Sequence, residues 1–242
     1  MQYLLQLDSR NRSNLTQDNG RSVYHLASSL KDVTSVELVQ ACIPHSMYTV
    51  STPNNTFELT QGGSTVTVTL DPSIYTLTTL ATEIQSKINV AAFTCSAGQT
   101  TTLKLLFSFT GAFSIRVPSE QLAAVFGLTR NTLHTSVGNA LQSQFCCELS
   151  PPSISITSRA LGSAYASGLG REVPPLYTVP IDVNAGAMIT FNSQSHFIQK
   201  KRYQNPRDIS EIDVVLRDAF GSVLNMNGLS YTLVLQVHCN ST

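Results

Sequence analysis

Tryptophan is absent from this chain, and so is any excess of charge of one sign. Lys and Arg number 15, Asp and Glu also 15, so the formal net charge is zero. A free-standing electrostatic nucleic-acid binder is normally basic, which disfavours that class. Charged residues make up only 12% of the chain, about half the usual share. Serine and threonine, about 55 together, supply the remaining polar surface. Such a neutral surface is poor for solitary solubility and suits contact with other proteins. Long apolar runs are missing too. No stretch nears the roughly 18 residues of a membrane-spanning helix. The opening Met1-Gln2-Tyr3-Leu4-Leu5-Gln6-Leu7-Asp8 has no basic n-region and too short an apolar run for a signal peptide, so an intracellular product is expected.

Cys-x-x-Cys spacing is also lacking. The five cysteines are Cys42, Cys95, Cys146, Cys147 and Cys239. Reduced, buried thiols are the simplest account. On a strand the adjacent Cys146 and Cys147 point to opposite faces, which argues against a bridge between them.

What is present is enough for a full core. The chain has 242 residues, 26.2 kDa and 42% hydrophobic residues. Surface scaling gives about 38,000 Å² unfolded and about 10,600 Å² folded, so about 70% is removed from water. One domain with an insertion fits, as do two small domains.

Residues 1–21 read as a polar, turn-rich arm with one short strand at 3–7. Strands are expected at 22–26, 34–43, 47–50 and 56–60, with Pro44 closing the second. Gly62-Gly63 links 56–60 to the β-branched run 65–70 as a hairpin. Leu77, Leu80, Ala81, Ile84 and Ile88 recur at helical spacing, predicting an amphipathic helix over 78–90. Strands at 103–109 and 113–117 are expected to join across Thr110-Gly111. A second helix over 119–126 has Ser119 as N-cap and Gly127 as stop. Further strands are expected at 144–149, 153–157, 177–183, 188–192 and 196–198. The stretch 162–175 reads as a long loop and 200–208 as a basic loop. Two strong strands close the chain, 209–217 and 230–238. Many short strands with turn signals argue for a sandwich or barrel. The helix-bearing stretch, about 61–130, interrupts them as an α+β insertion, and 22–242 is the domain that carries it. Val36, Leu38, Ile212, Val214, Leu216, Leu233, Leu235 and Val237 are the expected core.

Signatures of chemistry are scarce. There is no Gly-x-Ser-x-Gly elbow and no P-loop. The histidines, His25, His45, His134, His196 and His238, show no i, i+2 or i+4 pairing, so structural roles are favoured over metal ligation. Cys146 or Cys147 with His196 is a conceivable nucleophile pair, without local support. Glu211 and Asp213 share a strand face, as acid–base or Ca²⁺ pairs do, but two solvent-facing acids are the plainer reading. Lys200, Lys201 and Arg202 with nearby Arg207 form the one basic cluster, and Arg10 and Arg12 mark the arm. These six are candidate subunit or partner contacts, against the alternative of a solvated loop. Four Asn-x-Ser/Thr sequons, beginning at Asn11, Asn14, Asn54 and Asn240, are expected by chance in so Ser/Thr-rich a chain. No catalysis, cofactor or metal is expected.

Several segments, in order, resemble the single jelly-roll penton and minor capsid proteins of large eukaryotic DNA viruses and virophages. They are Leu7-Asp8-Ser9-Arg10-Asn11-Arg12; the strand ending Ala41-Cys42-Ile43-Pro44, then Tyr48 and Asn54-Asn55-Thr56-Phe57; and Tyr75 before the Leu80, Ile84, Ile88 helix. Ala124-Val125-Phe126-Gly127-Leu128 and the strand pair Ile212 to Gly221 and Tyr231 to Val237 complete them. The resemblance implies a mainly β fold, a single jelly-roll β-sandwich with a small helix-containing insertion. It also implies a homopentamer closing the fivefold vertex of an icosahedral capsid, in contact with neighbouring major and minor capsid proteins through its N-terminal segment. Location in the virion, no sequence-specific nucleic-acid binding and no membrane insertion go with it. No Arg-Gly-Asp motif occurs, so an integrin-binding entry role is not implied. The alternatives are a minor capsid or spike protein, and a jelly-roll module recognising host glycans, against which the missing tryptophan counts.

Overall fold

The computed structural model describes every residue except 14–19, 53, 91, 99–101, 163–174, 196–198 and 241–242. In chain order the elements are β1 (Gln2–Asp8), β2 (Arg21–Pro44), β3 (Thr56–Gln61), β4 (Ser64–Thr69), α1 (Leu77–Ile88), β5 (Thr94–Ala97), β6 (Leu105–Ser108) and β7 (Phe113–Arg116). They continue with α2 (Glu120–Phe126), β8 (Leu133–Thr135), β9 (Ala140–Gln142), β10 (Ser153–Thr157), β11 (Tyr177–Pro180), β12 (Met188–Asn192), β13 (Gln199–Arg217) and β14 (Thr232–Cys239). The fold is mainly β, a jelly-roll β-sandwich with a small helix-containing insertion. Contacts divide the chain into two compact units: Met1–Met47 with Pro151–Thr242, and Tyr48–Ser150.

The first unit is one curled sheet in the order β1-β14-β2-β13-β10-β11, with β12 also on β2. β2 is the backbone of this unit because it serves three neighbours. Its residues 33–42 ladder with β14, 21–38 with β13, and 40–44 with β12. A bulge leaves Val39 without a direct partner between Gln40↔Val234 and Leu38↔Leu235. The extra residue switches the inward parity, so Val36 and Leu38 before it and Ala41 and Ile43 after it are all fully buried. All eight expected core residues lie in this unit's hydrophobic cluster.

The second unit has its own core. Sheet β4-β3-β7-β8 and sheet β5-β6-β9 accompany the two helices. α1 begins in a reciprocal capping box, with the Thr76 hydroxyl accepting from Thr79 N–H and the Thr79 hydroxyl accepting from Thr76 N–H. It buries the periodic set Leu77, Leu80, Ala81, Ile84 and Ile88. α2 is capped by Ser119 and ends at Gly127, whose φ of +64° is left-handed. A Cβ on Gly127 would stand 2.3 Å from the Phe145 carbonyl oxygen. Phe57 and Phe126 meet edge-to-face at 5.2 Å between ring centroids.

Several expected boundaries are corrected. The strands at 22–26 and 34–43 are one element, β2, because β13 pairs along both parts. The segment 200–208 is a strand and not a loop: β13 pairs Lys200 with Glu37 and Arg202 with Ser35, and Asn205-Pro206 fall in the register break before Arg207. Proline is tolerated at such a break, where no ladder bond is owed. The segments 103–109 and 113–117 do not form a hairpin, since β6 pairs with β5 and β9 while β7 pairs with β3 and β8. Residues 144–149 form no strand; their N–H groups donate instead to Gly127, Leu103 and Ala124 carbonyls. At 47–50 only the bridge Val50↔Ser73 forms. The expected strand at 196–198, and all but the ends of the loop at 162–175, lie outside the described residues.

Candidate functional site

The six basic candidates fall into two groups. Arg10 and Arg12 follow the Asp8 end of β1, which lies opposite Thr232. Lys200 and Arg202 lie beside the other end of the sheet, in line with Gln236 and His238. Six residues of strand, about 20 Å, separate those two rows.

At the first end the chain folds back on itself. The Arg10 Nε donates to Asp8 Oδ1 at 3.0 Å, and its Nη2 reaches Oδ2. This fork, with the Arg10 N–H, holds the Asp8 carboxyl below its usual range. Arg12 Nη1 donates to the Ser9 carbonyl at 2.6 Å. Ser9 is itself locked: its N–H donates to the Tyr231 carbonyl, and its hydroxyl accepts from Tyr231 N–H. The Tyr231 hydroxyl in turn meets Ser22 at 2.8 Å. Arg10 and Arg12 are therefore held in place by a buried seryl–tyrosyl anchor that sequence reading did not single out. The nearest signal was the small Ser9 amid polar turn residues.

At the second end the register lays two rows across four strands: Gln2, His238, Ser35, Arg202, and Leu4, Gln236, Glu37, Lys200. Lys200 Nζ is 3.2 Å from His238 Nε2 and 4.0 Å from Glu37 Oε2. Burial and then the Lys200 charge lower the His238 pKa, with Glu37 opposing. Arg202 is exposed, and Lys201 is half-buried on the other face of the strand. Arg207 stacks its guanidinium 4.0 Å over the Tyr203 ring and donates to the Gly162 carbonyl. The neighbouring Asp208 pairs with Lys31 at 2.5 Å. Lys200 and Arg202 thus form part of a polar sheet face, while Arg207 is a packing arginine.

The candidate chemical groups are occupied structurally. Asp213 accepts from the Ser158 hydroxyl and from the N–H groups of Arg159 and Ala160, closing the turn after β10. Glu211 pairs with His25 at 3.1 Å. Cys147 is buried and its thiol is pushed up by burial, the opposite of an activated nucleophile. His196 lies outside the described residues. Among the described residues, no group of three or more His, Cys, Asp or Glu is placed to hold a metal, and no helix is long and apolar enough to cross a membrane.

Residues 2–212 match the model of one protein family, described as a family of unknown function (DUF5901). No curated protein matches the chain. Among solved structures, the fold is similar to that of the crystal structure of the mavirus penton protein, labelled with selenomethionine. The TM-score is 0.53 at 9% sequence identity, over 99% of this chain and 100% of that one.

Proposed function

This chain belongs to the DUF5901 family of unknown function, and we propose that its role is structural, as a capsid protein of an icosahedral DNA virus. The observation that carries this reading is the similarity of fold to a viral penton protein over essentially the whole of both chains. Composition supports it. A chain with so few charges and no net charge loses little when its flanks are covered by other proteins.

More finely, the protein forms the homopentameric vertex of the capsid. Each subunit meets its neighbours through two different surfaces, and a fivefold rotation closes the ring. Within residues 1–21, the part after β1 acts as an arm toward neighbouring major and minor capsid proteins, while β1 joins the sheet of the jelly-roll domain, 22–242, which carries its insertion at about 61–130. Lys200 and Arg202, on the polar sheet face, and Arg10, exposed at the end of β1, are the main contacts; Arg12, Lys201 and Arg207 support them from less exposed positions. The role involves no catalytic turnover and no cofactor, and its place is the virion. Native mass at two salt concentrations tests the ring. A species of five times 26.2 kDa is expected. A trimer or monomer overturns the vertex role and favours a minor capsid or spike protein.

One observation favours a second reading, a module recognising host glycans. The second unit has an open cleft of about 550 Å³ lined by Thr60, Gln61, Gly62, Gly63, Phe109 and Phe113. Binding to a glycan panel that is lost on Phe109→Ala would support it; an empty panel removes it.

A further inference from the structure

Among the described residues, the outer edge of β1 ends its sheet with no partner strand. Which backbone groups face that edge follows from the ladder's phase. Cys239 N–H donates to the Met1 carbonyl, and Ser9 N–H donates to the Tyr231 carbonyl, both at 3.0 Å. The register between these points is unbroken, from Gln2↔His238 to Asp8↔Thr232. Odd-numbered residues therefore bond to β14. Gln2, Leu4 and Gln6 turn their N–H and C=O groups outward.

Such edges are normally blunted by charge, proline, a bulge or shortness. β1 has none of these from Gln2 to Leu7. The far edge of the same sheet, β11, has only four residues and ends in Pro180. Side chains sharpen the contrast. Leu4 is 69% exposed and Tyr3 40% exposed, both on a strand that otherwise contributes the buried Leu7 to the core.

We propose that this edge pairs with β1 of a second copy of this chain, antiparallel and centred on Leu4. The outward positions read Gln2, Leu4, Gln6, a polar–apolar–polar pattern symmetric about Leu4. Two-fold pairing sets Gln2 opposite the second copy's Gln6 and each Leu4 opposite its twin. These are the narrow pairs that exchange both N–H···O bonds. On the opposite face Tyr3 meets Leu5 of the second copy, which is half-buried beside the core, as a cross-strand aromatic–aliphatic pair. Asp8 falls outside the paired segment, so no charged side chain is buried. An acidic or basic partner segment would surrender hydration against this neutral edge without gaining a counter-charge, whereas the identical strand surrenders none. The contact is isologous. It is thus separate from the head-to-tail contacts of the proposed ring and stands or falls independently of them.

Two substitutions at one position test it on the full chain. Leu4→Pro removes an outward N–H and leaves every bond to β14 in place. Leu4→Lys keeps the backbone and sets two like charges face to face across the two-fold. Native mass and thermal midpoint are read for wild type and both variants over a concentration series. The expected result is a wild-type mass of two subunits, or of ten or more where the ring also forms, reduced to one subunit or one ring in Leu4→Lys, whose midpoint loses the rise with concentration that pairing gives the wild type. Leu4→Pro is expected to do the same, and Leu4→Lys decides the matter where the proline variant fails to fold. A wild type that never exceeds one subunit or one five-subunit ring overturns the proposal, as does a doubled mass that survives Leu4→Lys. A five-subunit species without doubling leaves the ring and removes this contact; a two-subunit species without a ring does the reverse.

Discussion

Burial sorts the thiols of this chain by reactivity. Cys95 is pushed up to about 12 by desolvation, with Cys147 nearby adding to the effect. Cys146, next in sequence to Cys147, is exposed. The thiolate is the reacting species, so a limiting maleimide or disulfide reagent near pH 8 is expected to label Cys146 first and to reach Cys95 and Cys147 only after unfolding. Peptide mapping of the labelled sites checks this; early modification of Cys95 would contradict the packing. His238 sets a pH dependence of definite sign. Its pKa lies below the ordinary 6.5, so the folded state binds the proton less readily than the unfolded chain does. Its contribution is complete above pH 6.5 and is lost as pH falls through the lowered pKa. Thermal midpoints at pH 8 and pH 5 are expected to fall further for wild type than for His238→Gln. Asp213 shows the cost of an orphaned turn. Asp213→Ala strips the acceptor from three donors, and a loss of about 1–3 kcal/mol in denaturant unfolding is expected.

At the scale of elements, the helix and its stop are governed by local rules and the long strands are not. α1 and α2 are written in the chain by periodicity and caps, and both occur within a residue or two of expectation. Ile84→Ala, at a fully buried position on α1, is expected to cost about 2–5 kcal/mol. Gly127→Ala forces a left-handed φ on a residue with a Cβ and drives that carbon into the Phe145 carbonyl. A loss of at least about 1–3 kcal/mol is expected, read as a lowered urea midpoint with an unchanged slope. β13 is the opposite case. Its Lys200-Lys201-Arg202 and Asn205-Pro206 carry loop chemistry, yet the segment is held extended by β2 on one side. The Lys200 ammonium lies beside His238 and Glu37 of the neighbouring strands.

The whole molecule has two cores, and the second belongs to one continuous stretch, Tyr48–Ser150. Its ends are tied together by the Thr49 hydroxyl, which donates to the Leu149 carbonyl at 3.1 Å. A segment with its own core and adjacent ends has the anatomy of an independently folding piece. Residues 48–150 expressed alone are expected to give a cooperative thermal transition; a featureless melt would show that this core depends on the rest of the chain.

Sequence alone determined the features that depend on neighbours a few residues apart. These are the apolar alternation that put Ile212, Val214, Leu216, Leu233, Leu235 and Val237 inside, the Thr76 and Ser119 helix starts, the Gly62-Gly63 hairpin and the mainly β class. Tertiary structure alone decided what depends on partners far away in the chain. The Val39 bulge lies where β14 pairs across it on one edge of β2 and the other edge passes from β13 to β12, and no local signal marks it. The split of β6 and β7 between two sheets reflects which distant strand each one meets. The role of Asp213 depends on a turn 53 to 55 residues before it. The candidate contacts were legible as a list of basic residues but not as an arrangement. Register, which no single strand encodes, set Lys200 beside His238 and Glu37 and turned the backbone of Gln2, Leu4 and Gln6 toward an open edge.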